Sequence, residues 1–385
     1  MKGMLQIFQQ AVPAKGLSSR NNFVPREETL LEIAADGQVR GFCGHVDLGT
    51  GIATSLAQIM AEELDAEPAQ VQMVLGHTDQ TPDQGATIAS ESIQVTARPL
   101  RQAAAQARLI LLQRAAELTK LRVDSLDIRN GRISTADGSV DLGFSDLVSG
   151  LSVRCELDAK TPVKPVSRYR LVGQDLPRVD IPDKVTGRAV YVHDVRVPDM
   201  VHGRVIRPPY GGYDHGPFVG RTLLSVDRQS VAGMPGLLDI VVLGDFVGVV
   251  AEREEQAVAI AAALHLTWAP VALPNLSDPL EALKANPYTE RVVLDRGDAQ
   301  AALPELSQRL DREYFWPYQM HGSIGPSCSV AHWQAGTLRV PPGSPNPHML
   351  PADLPPPPGR LAPCLSVIRP SAARCYCRTC PDECG

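Results

Sequence analysis

The stretch LLEIAADGQVRGFCGHVDLG carries two short apolar runs on either side of Asp36-Gly37, a dipeptide suited to a tight hairpin turn. It reads as two paired strands. The period then changes. Ile52, Leu56, Ile59, Met60 and Leu64 recur at helical spacing and predict a helix with one apolar face. VQMVLG reads as a further strand, HTDQTPDQGATIASESI as a polar loop, and the Ala- and Leu-rich run from about Pro99 to Leu118 as a long helix. Pro99 suits a first-turn position, where its missing N–H costs nothing. LDIRNGRISTADGSV is a hairpin pattern with turns at Asn130-Gly131 and Asp137-Gly138.

Around DAKTPVKPVSRYR the pattern breaks into a Pro- and Lys-containing connector, a natural boundary. Beyond it, VYVHDVRVPDMVHGRVIRPP and GLLDIVVLGDFVGVVAE are strand-rich. REEQAVAIAAALHLTW supplies one more helix, with Glu254 and Glu255 near its positive end. Strands with interspersed helices and no regular β-α-β alternation favour an α+β fold over a doubly wound sheet. The last 45 residues hold twelve of the 33 prolines, including PPPP at 355–358, and are expected to fold poorly.

A chain of 385 residues has room for two or three domains. Apolar residues at 44% and charged residues at 21% are ordinary for a globular protein. The formal net charge of −6 gives no support to nucleic-acid binding. No apolar run is long enough to span a bilayer, and the N-terminus lacks the apolar core of a signal peptide, so a cytoplasmic location is expected. Of the eight cysteines, only Cys43, Cys155 and Cys328 lie in the first 340 residues, a usage that suits reduced thiols.

One short stretch raises a chemical question. In GHVDLGTGIATSLAQ, Gly49-Thr50-Gly51 links a strand to a helix. Such turns are common without a ligand. The dinucleotide fingerprint needs a third glycine at position 54, where Thr54 stands, and the Gly-Lys-Ser/Thr of a phosphate loop is absent. What remains is a helix start with free backbone N–H groups and two glycines that allow close approach. TPDQGATIASES, with hydroxyls at Thr87, Ser90 and Ser92, reads by itself as a surface loop with a helix cap. Two small-residue loops within about 40 residues, both leading toward helix starts, suit a large anionic ligand better.

These residues resemble a known family. The run GHVDLGTGIATSLAQIMAEELDAEPAQVQMVLGHTDQTPDQGATIASESIQ is similar to the molybdopterin-binding subunit of the molybdenum hydroxylases, the xanthine dehydrogenase and aldehyde oxidase family. Within that family it looks closest to the isoquinoline 1-oxidoreductase and nicotinate dehydrogenase large subunits. YRLVGQDLPRVDIPDKVTGRAVYVHDVRVPDMVHGRVIRPP resembles the family's hammerhead domain, and YFWPYQMHGSIGPSCSVAHW the start of its main cofactor domain. The three blocks follow the family's order.

The resemblance implies a fold, a site and a reaction. The fold is α+β. Residues 1–160 would be an N-terminal segment of the molybdopterin-binding region, 161–305 a hammerhead domain, 306–340 the start of the main cofactor domain, and 341–385 a Pro- and Cys-rich tail. Gly49, Thr50 and Gly51 match the family's Gly-Gln-Gly beside the pterin. Thr50 departs from the commoner Gln and cannot make the same bonds. Thr87, Ala89, Ser90 and Ser92 match the segment around the pterin and its phosphate. The implied cofactor is molybdenum–molybdopterin, with the cytosine dinucleotide as one form the family uses. The implied partner is a small subunit carrying [2Fe–2S] clusters, and the implied reaction is water-derived hydroxylation of an N-heterocycle or an aldehyde.

No residue here matches the family's general-base glutamate, and proton transfers of that kind contribute about 10²- to 10⁴-fold. The expectation is therefore a C-terminally truncated large subunit, inactive alone. The alternative is an interaction module that binds the iron–sulfur partner without cofactor. No catalytic or metal-ligating residue is assigned. His193-Asp194, His202 and Lys184 read as structural, and His321 as a lone histidine without a role. CYCRTCPDEC has the thiols for zinc or an iron–sulfur cluster but not the usual paired spacing.

Overall fold

The computed structural model describes residues 3–11, 26–209, 222–270, 277–298, 301, 308, 310–317, 328–334, 337–340 and 346–348, and the backbone of 364–367. It divides into two compact units, one made of Met1–Val197 with Gly322–Gly385, the other of Pro198–His321. His321, PPPP at 355–358 and CYCRTCPDEC lie outside the described residues.

The first unit is built on a five-stranded mixed sheet. Its strands are β1 (Met4–Gln10), β2 (Glu27–Ala34), β3 (Val39–Cys43), β4 (Val71–Leu75) and β8 (Ser152–Glu156), in the order β4-β3-β2-β1-β8. As the Asp36-Gly37 turn predicts, β2 and β3 pair antiparallel. The β3–β4 pair is parallel and is bridged by helix α1 (Ile52–Leu64), which makes one β-α-β crossover inside an otherwise α+β unit. Four of the five positions expected on the apolar face of α1 are buried, namely Ile52, Leu56, Met60 and Leu64. They pack with Leu5, Ile7, Leu31 and Ile33 of the sheet.

Helix α2 (Ala97–Thr119) starts two residues before Pro99, which therefore still sits in the first turn. Its buried Ala103, Ala104, Ala107 and Ala115 let the backbone lie close to its neighbours. The hairpin pattern further on forms β5 (Asp127–Arg129), β6 (Arg132–Ser134) and β7 (Asp141–Gly143), followed by the short α3 (Phe144–Val148). The Pro-rich connector packs within this unit, and α4 (Ile181–Val185) lies near its end.

The second unit has β9 (His202–Ile206), β10 (Leu223–Asp227), β11 (Leu237–Leu243), β12 (Phe246–Ala251), α5 (Glu254–Ala263), β13 (His265–Trp268) and α6 (Pro279–Ala285). The strands form a three-stranded sheet β11-β12-β9 and a pair β10-β13. Ala257 and Ile260 of α5 are buried with Val247, Val249 and Ala251 of β12. The helix expected through His265–Trp268 stops at Ala263, and HLTW is a strand paired with β10. Thr267 and Trp268, a β-branched and an aromatic residue, suit that strand. In the first unit, β14 (His332–Gln334), β15 (Thr337–Val340) and β16 (Cys364–Val367) form a small separate sheet. No helix of the described residues is long and apolar enough to cross a membrane.

Candidate functional site

Strands β3 and β4 run parallel, so the segments that leave their C-terminal ends, 44–51 and 76–96, emerge at the same edge of the sheet. In open sheets with parallel strands, ligands favour that edge. The two segments are bonded together. The Gly44 amide donates to Gln84 Oε1 at 2.8 Å, and the Val46 amide to Thr87 Oγ1 at 3.0 Å. Gly44 is required for this approach, because a Cβ there would lie 2.0 Å from the Pro82 carbonyl oxygen.

His45 is the third connection. It is buried, and burial lowers its pKa, outweighing the opposing contact with the Gln84 carbonyl and the charge of Glu91, so the ring is neutral. Its Nε2 lies 3.1 Å from the Gln84 carbonyl, which can only accept, so Nε2 carries the proton. Nδ1 is then the acceptor, taking the Ser92 hydroxyl at 2.8 Å with Thr96 Oγ1 at 3.3 Å. Ser92 opens a single π-helical turn, Ser92–Thr96, that leads into α2. Turns of this kind often sit at functional sites.

The glycine turn differs from its expected open form. Asp47 Oδ1 accepts the amides of Gly49 at 2.8 Å, Thr50 at 2.9 Å and Gly51 at 3.2 Å, and Oδ2 accepts that of Ala53 at 3.3 Å. The amides of the turn, and that of Ala53 in the first turn of α1, are thus held by a carboxylate of the chain itself. Gly51 is the N-cap with φ 80°. Against it lies Arg178, whose guanidinium donates to the Gly49 carbonyl at 3.2 Å and grips Asp180 through two nitrogens. The bonds to Arg178, and after it Lys184, hold Asp180 well below the usual carboxylate range. Thr54, standing where a dinucleotide site would have glycine, is buried and accepts the Val179 amide at 3.0 Å.

What these internal bonds leave over is a different donor set. Ala89 and Ser90 are consecutive non-glycine residues with φ of 51° and 58°, and both are exposed. Left-handed backbone at such residues costs of order 1–3 kcal/mol each and clusters at ligand sites. Their amides have no partner among the described residues, and successive free N–H groups of this kind form anion-binding concavities. The Thr87 hydroxyl accepts from Val46 and keeps its own proton to donate. Thr50 is exposed on the neighbouring turn. This set fits a large polar anion.

The seven expected site residues therefore lie on two segments that the structure ties together at one sheet edge. Sequence reasoning misses Asp47, His45 and Arg178. An Asp two residues before Gly-x-Gly is a legible turn signal, since Asp carboxylates capture nearby amides. The partners of His45 and Arg178 lie 47 and 129 residues away and leave no local trace. Cys43 is not a candidate nucleophile: burial pushes its thiol up to about 12. Lys184 bonds Asp180 and stabilises the fold, as expected for it. Among the described residues no group of three His, Cys, Asp or Glu side chains is placed to hold a metal ion.

Residues 3–197 match the molybdopterin cofactor-binding domain, about half of the chain, and the chain belongs to that family. It is 50% identical to a nicotinate dehydrogenase chain of Pseudomonas putida, over 99% of its own length and 32% of that protein's. It is 29% identical to the beta chain of isoquinoline 1-oxidoreductase from Brevundimonas diminuta, over 62% of this chain and 34% of that one. A third relative is the membrane-bound aldehyde dehydrogenase [pyrroloquinoline-quinone] of Gluconacetobacter polyoxogenes, 25% identical over 84% of this chain and 44% of that one. The chain spans about a third of the length of the first relative.

Proposed function

We propose that this chain supplies one wall of a molybdenum–molybdopterin site in a molybdenum hydroxylase large subunit. The unpaired amides of Ala89 and Ser90, held at one sheet edge inside the family-matching region, carry this reading. In it, those amides and the hydroxyls of Thr50 and Thr87 donate to the cofactor's polar rim. Asp47 and Arg178 fix the turn, and His45 fixes the loop through Ser92. The cofactor, bound as such or as its cytosine dinucleotide, supplies the redox and Lewis-acid chemistry. The substrate class is an N-heterocycle or an aldehyde, hydroxylated with oxygen from water, and electrons leave to a small [2Fe–2S] subunit. We assign residues 161–305 to a hammerhead-type domain, with the compact apolar cluster of β12 and α5 inside it.

The rival reading, a module that binds the iron–sulfur partner without cofactor, has one observation in its favour: Asp47 saturates the turn that a ligand would otherwise use. One experiment separates the two. The chain is purified with its small subunit from cells that make molybdenum cofactor, and molybdenum per polypeptide is measured by metal mass spectrometry. A value near one supports the cofactor reading. A value near zero in a folded chain refutes it and leaves the module.

A further inference from the structure

A cleft of about 690 Å³ lies at the C-terminal end of α1. The 13 residues of that helix put it about 20 Å from the glycine turn. Its floor is a buried ionic network. Asp65, with only 8% exposure, accepts Arg108 Nε at 2.9 Å on one oxygen and Lys164 Nζ at 2.7 Å and Arg170 at 2.5 Å on the other. Glu63 is held by Arg101 at 2.6 Å and by the Lys164 amide at 2.8 Å. Glu62 takes Lys164 Nζ at 2.9 Å and the amides of Arg170, Leu171 and Val172.

A structural network would be complete with those partners. Three buried carboxylates already face four cations. Yet a fifth cation, Arg168, lines the cleft, is exposed, and has no ion pair among the described residues. Asp127 is the one exposed acid in the lining, so the cluster keeps an excess positive charge. The acids lie at the bottom and the guanidinium groups toward solvent, with Arg170 46% and Arg108 30% exposed. One carboxylate braces both of those arginines, so little side-chain entropy remains to be lost on binding. Apolar side chains, Ala105, Leu109, Ile128, Pro162, Val163 and Pro165, form much of the remaining wall, with the hydroxyls of Thr161, Ser167 and Tyr169 among them. Leu109 is 40% exposed, an open apolar surface beside the arginines.

We propose that this cleft binds a small monocarboxylate with a flat apolar body. Arg168 and the outward nitrogens of Arg108 and Arg170 hold the carboxylate, and the body lies on Leu109 and the prolines. The volume falls in the range of small-molecule sites. A single excess charge and an apolar wall favour a monocarboxylate over phosphate. The proposal does not depend on the cofactor reading.

Benzoate is the probe, titrated into the full chain by calorimetry at low salt, with neutral benzamide and inorganic phosphate as comparisons. The expected result is saturable one-to-one benzoate binding, weakened about tenfold or more in Arg168→Ala, with benzamide weaker by a similar factor and phosphate weaker than benzoate. Arg168 is exposed and unpaired, so its variants keep the fold. Arg168→Lys, which keeps the charge and loses the fork, falls between wild type and Ala. The proposal is overturned if benzoate does not saturate at millimolar concentrations, if Arg168→Ala binds it as well as wild type, or if benzamide or phosphate binds equally tightly.

Discussion

Asp47 Oδ1 lies 2.9 Å from the Thr50 amide, and the same carboxylate also holds the amides of Gly49, Gly51 and Ala53. A glycine turn that looks open to an external anion is therefore occupied by an internal one, four residues before the N-cap. Asp47 both neutralises the positive end of α1 and fixes the glycine turn. Asp47→Ala is expected to lower stability by about 1–2 kcal/mol, and Asp47→Asn, which keeps an oxygen acceptor, by less. Urea unfolding of the three proteins checks the ranking. Equal midpoints would remove Asp47 from this role.

Gly51 makes a second prediction. Its φ of 80° disfavours any side chain, and a Cβ would lie 2.9 Å from Arg178 Nε. Asp180 pins that arginine and leaves it little freedom to move aside. Gly51→Ala is expected to cost about 1–3 kcal/mol. In an Arg178→Ala background the steric part disappears and only the backbone part remains, so the same substitution costs less there. A double-mutant cycle by thermal unfolding reads the coupling, and strict additivity would show that Arg178 does not press on the turn.

The contrast between these turns and the strands shows what a single sequence reveals. The β2–β3 hairpin, the apolar face of α1 and the β5–β6–β7 turns follow from local periodicity and from glycine or asparagine placement, all visible within a dozen residues. The segments around Gly49 and Ser90 are legible as small-residue loops near helix starts, but their chemistry is not. Ala89 and Ser90 lack the glycine or asparagine signature of left-handed backbone, so neighbours must impose the conformation. The π-turn at Ser92–Thr96 hides inside an ordinary-looking helix start. The alanine run before Thr267 and Trp268 masks the change of period, so the pattern alone extends the helix through them.

Acid titration tests the buried charges. Burial alone would raise the Glu62 pKa, but its bonds to Lys164 and to the amides of Leu171, Val172 and Arg170 outweigh that and bring it to about 2. A folded-state pKa below the unfolded one means stability is present above pH ~4.5 and is lost as pH falls from there toward 2, by on the order of 3 kcal/mol. His45, whose pKa burial lowers, loses stability in an earlier window, below its ordinary value near 6.5. Wild type should therefore weaken in two steps on acidification. Glu62→Gln should shrink the lower step, leaving the part that Asp180 contributes, and keep the upper one in urea midpoints measured from pH 7 to pH 3. A lower step undiminished in Glu62→Gln would assign it wholly to other carboxylates such as Asp180.

The left-handed pair gives the last prediction, and it separates backbone from side chain. Glycine adopts the Ser90 φ of 58° without strain, so Ser90→Gly should raise the melting temperature, worth about 1 kcal/mol less the added freedom of the unfolded chain. It also keeps the amide. Where the amide holds the cofactor, Ser90→Gly retains wild-type molybdenum content when copurified with the small subunit. Proline lacks the N–H and has φ fixed near −65°, so Ser90→Pro should lose molybdenum while circular dichroism stays near wild type, because the residue is exposed and outside any helix or strand. Loss of metal in Ser90→Gly would instead make the hydroxyl the donor. Full loading of Ser90→Pro would remove this loop from the site.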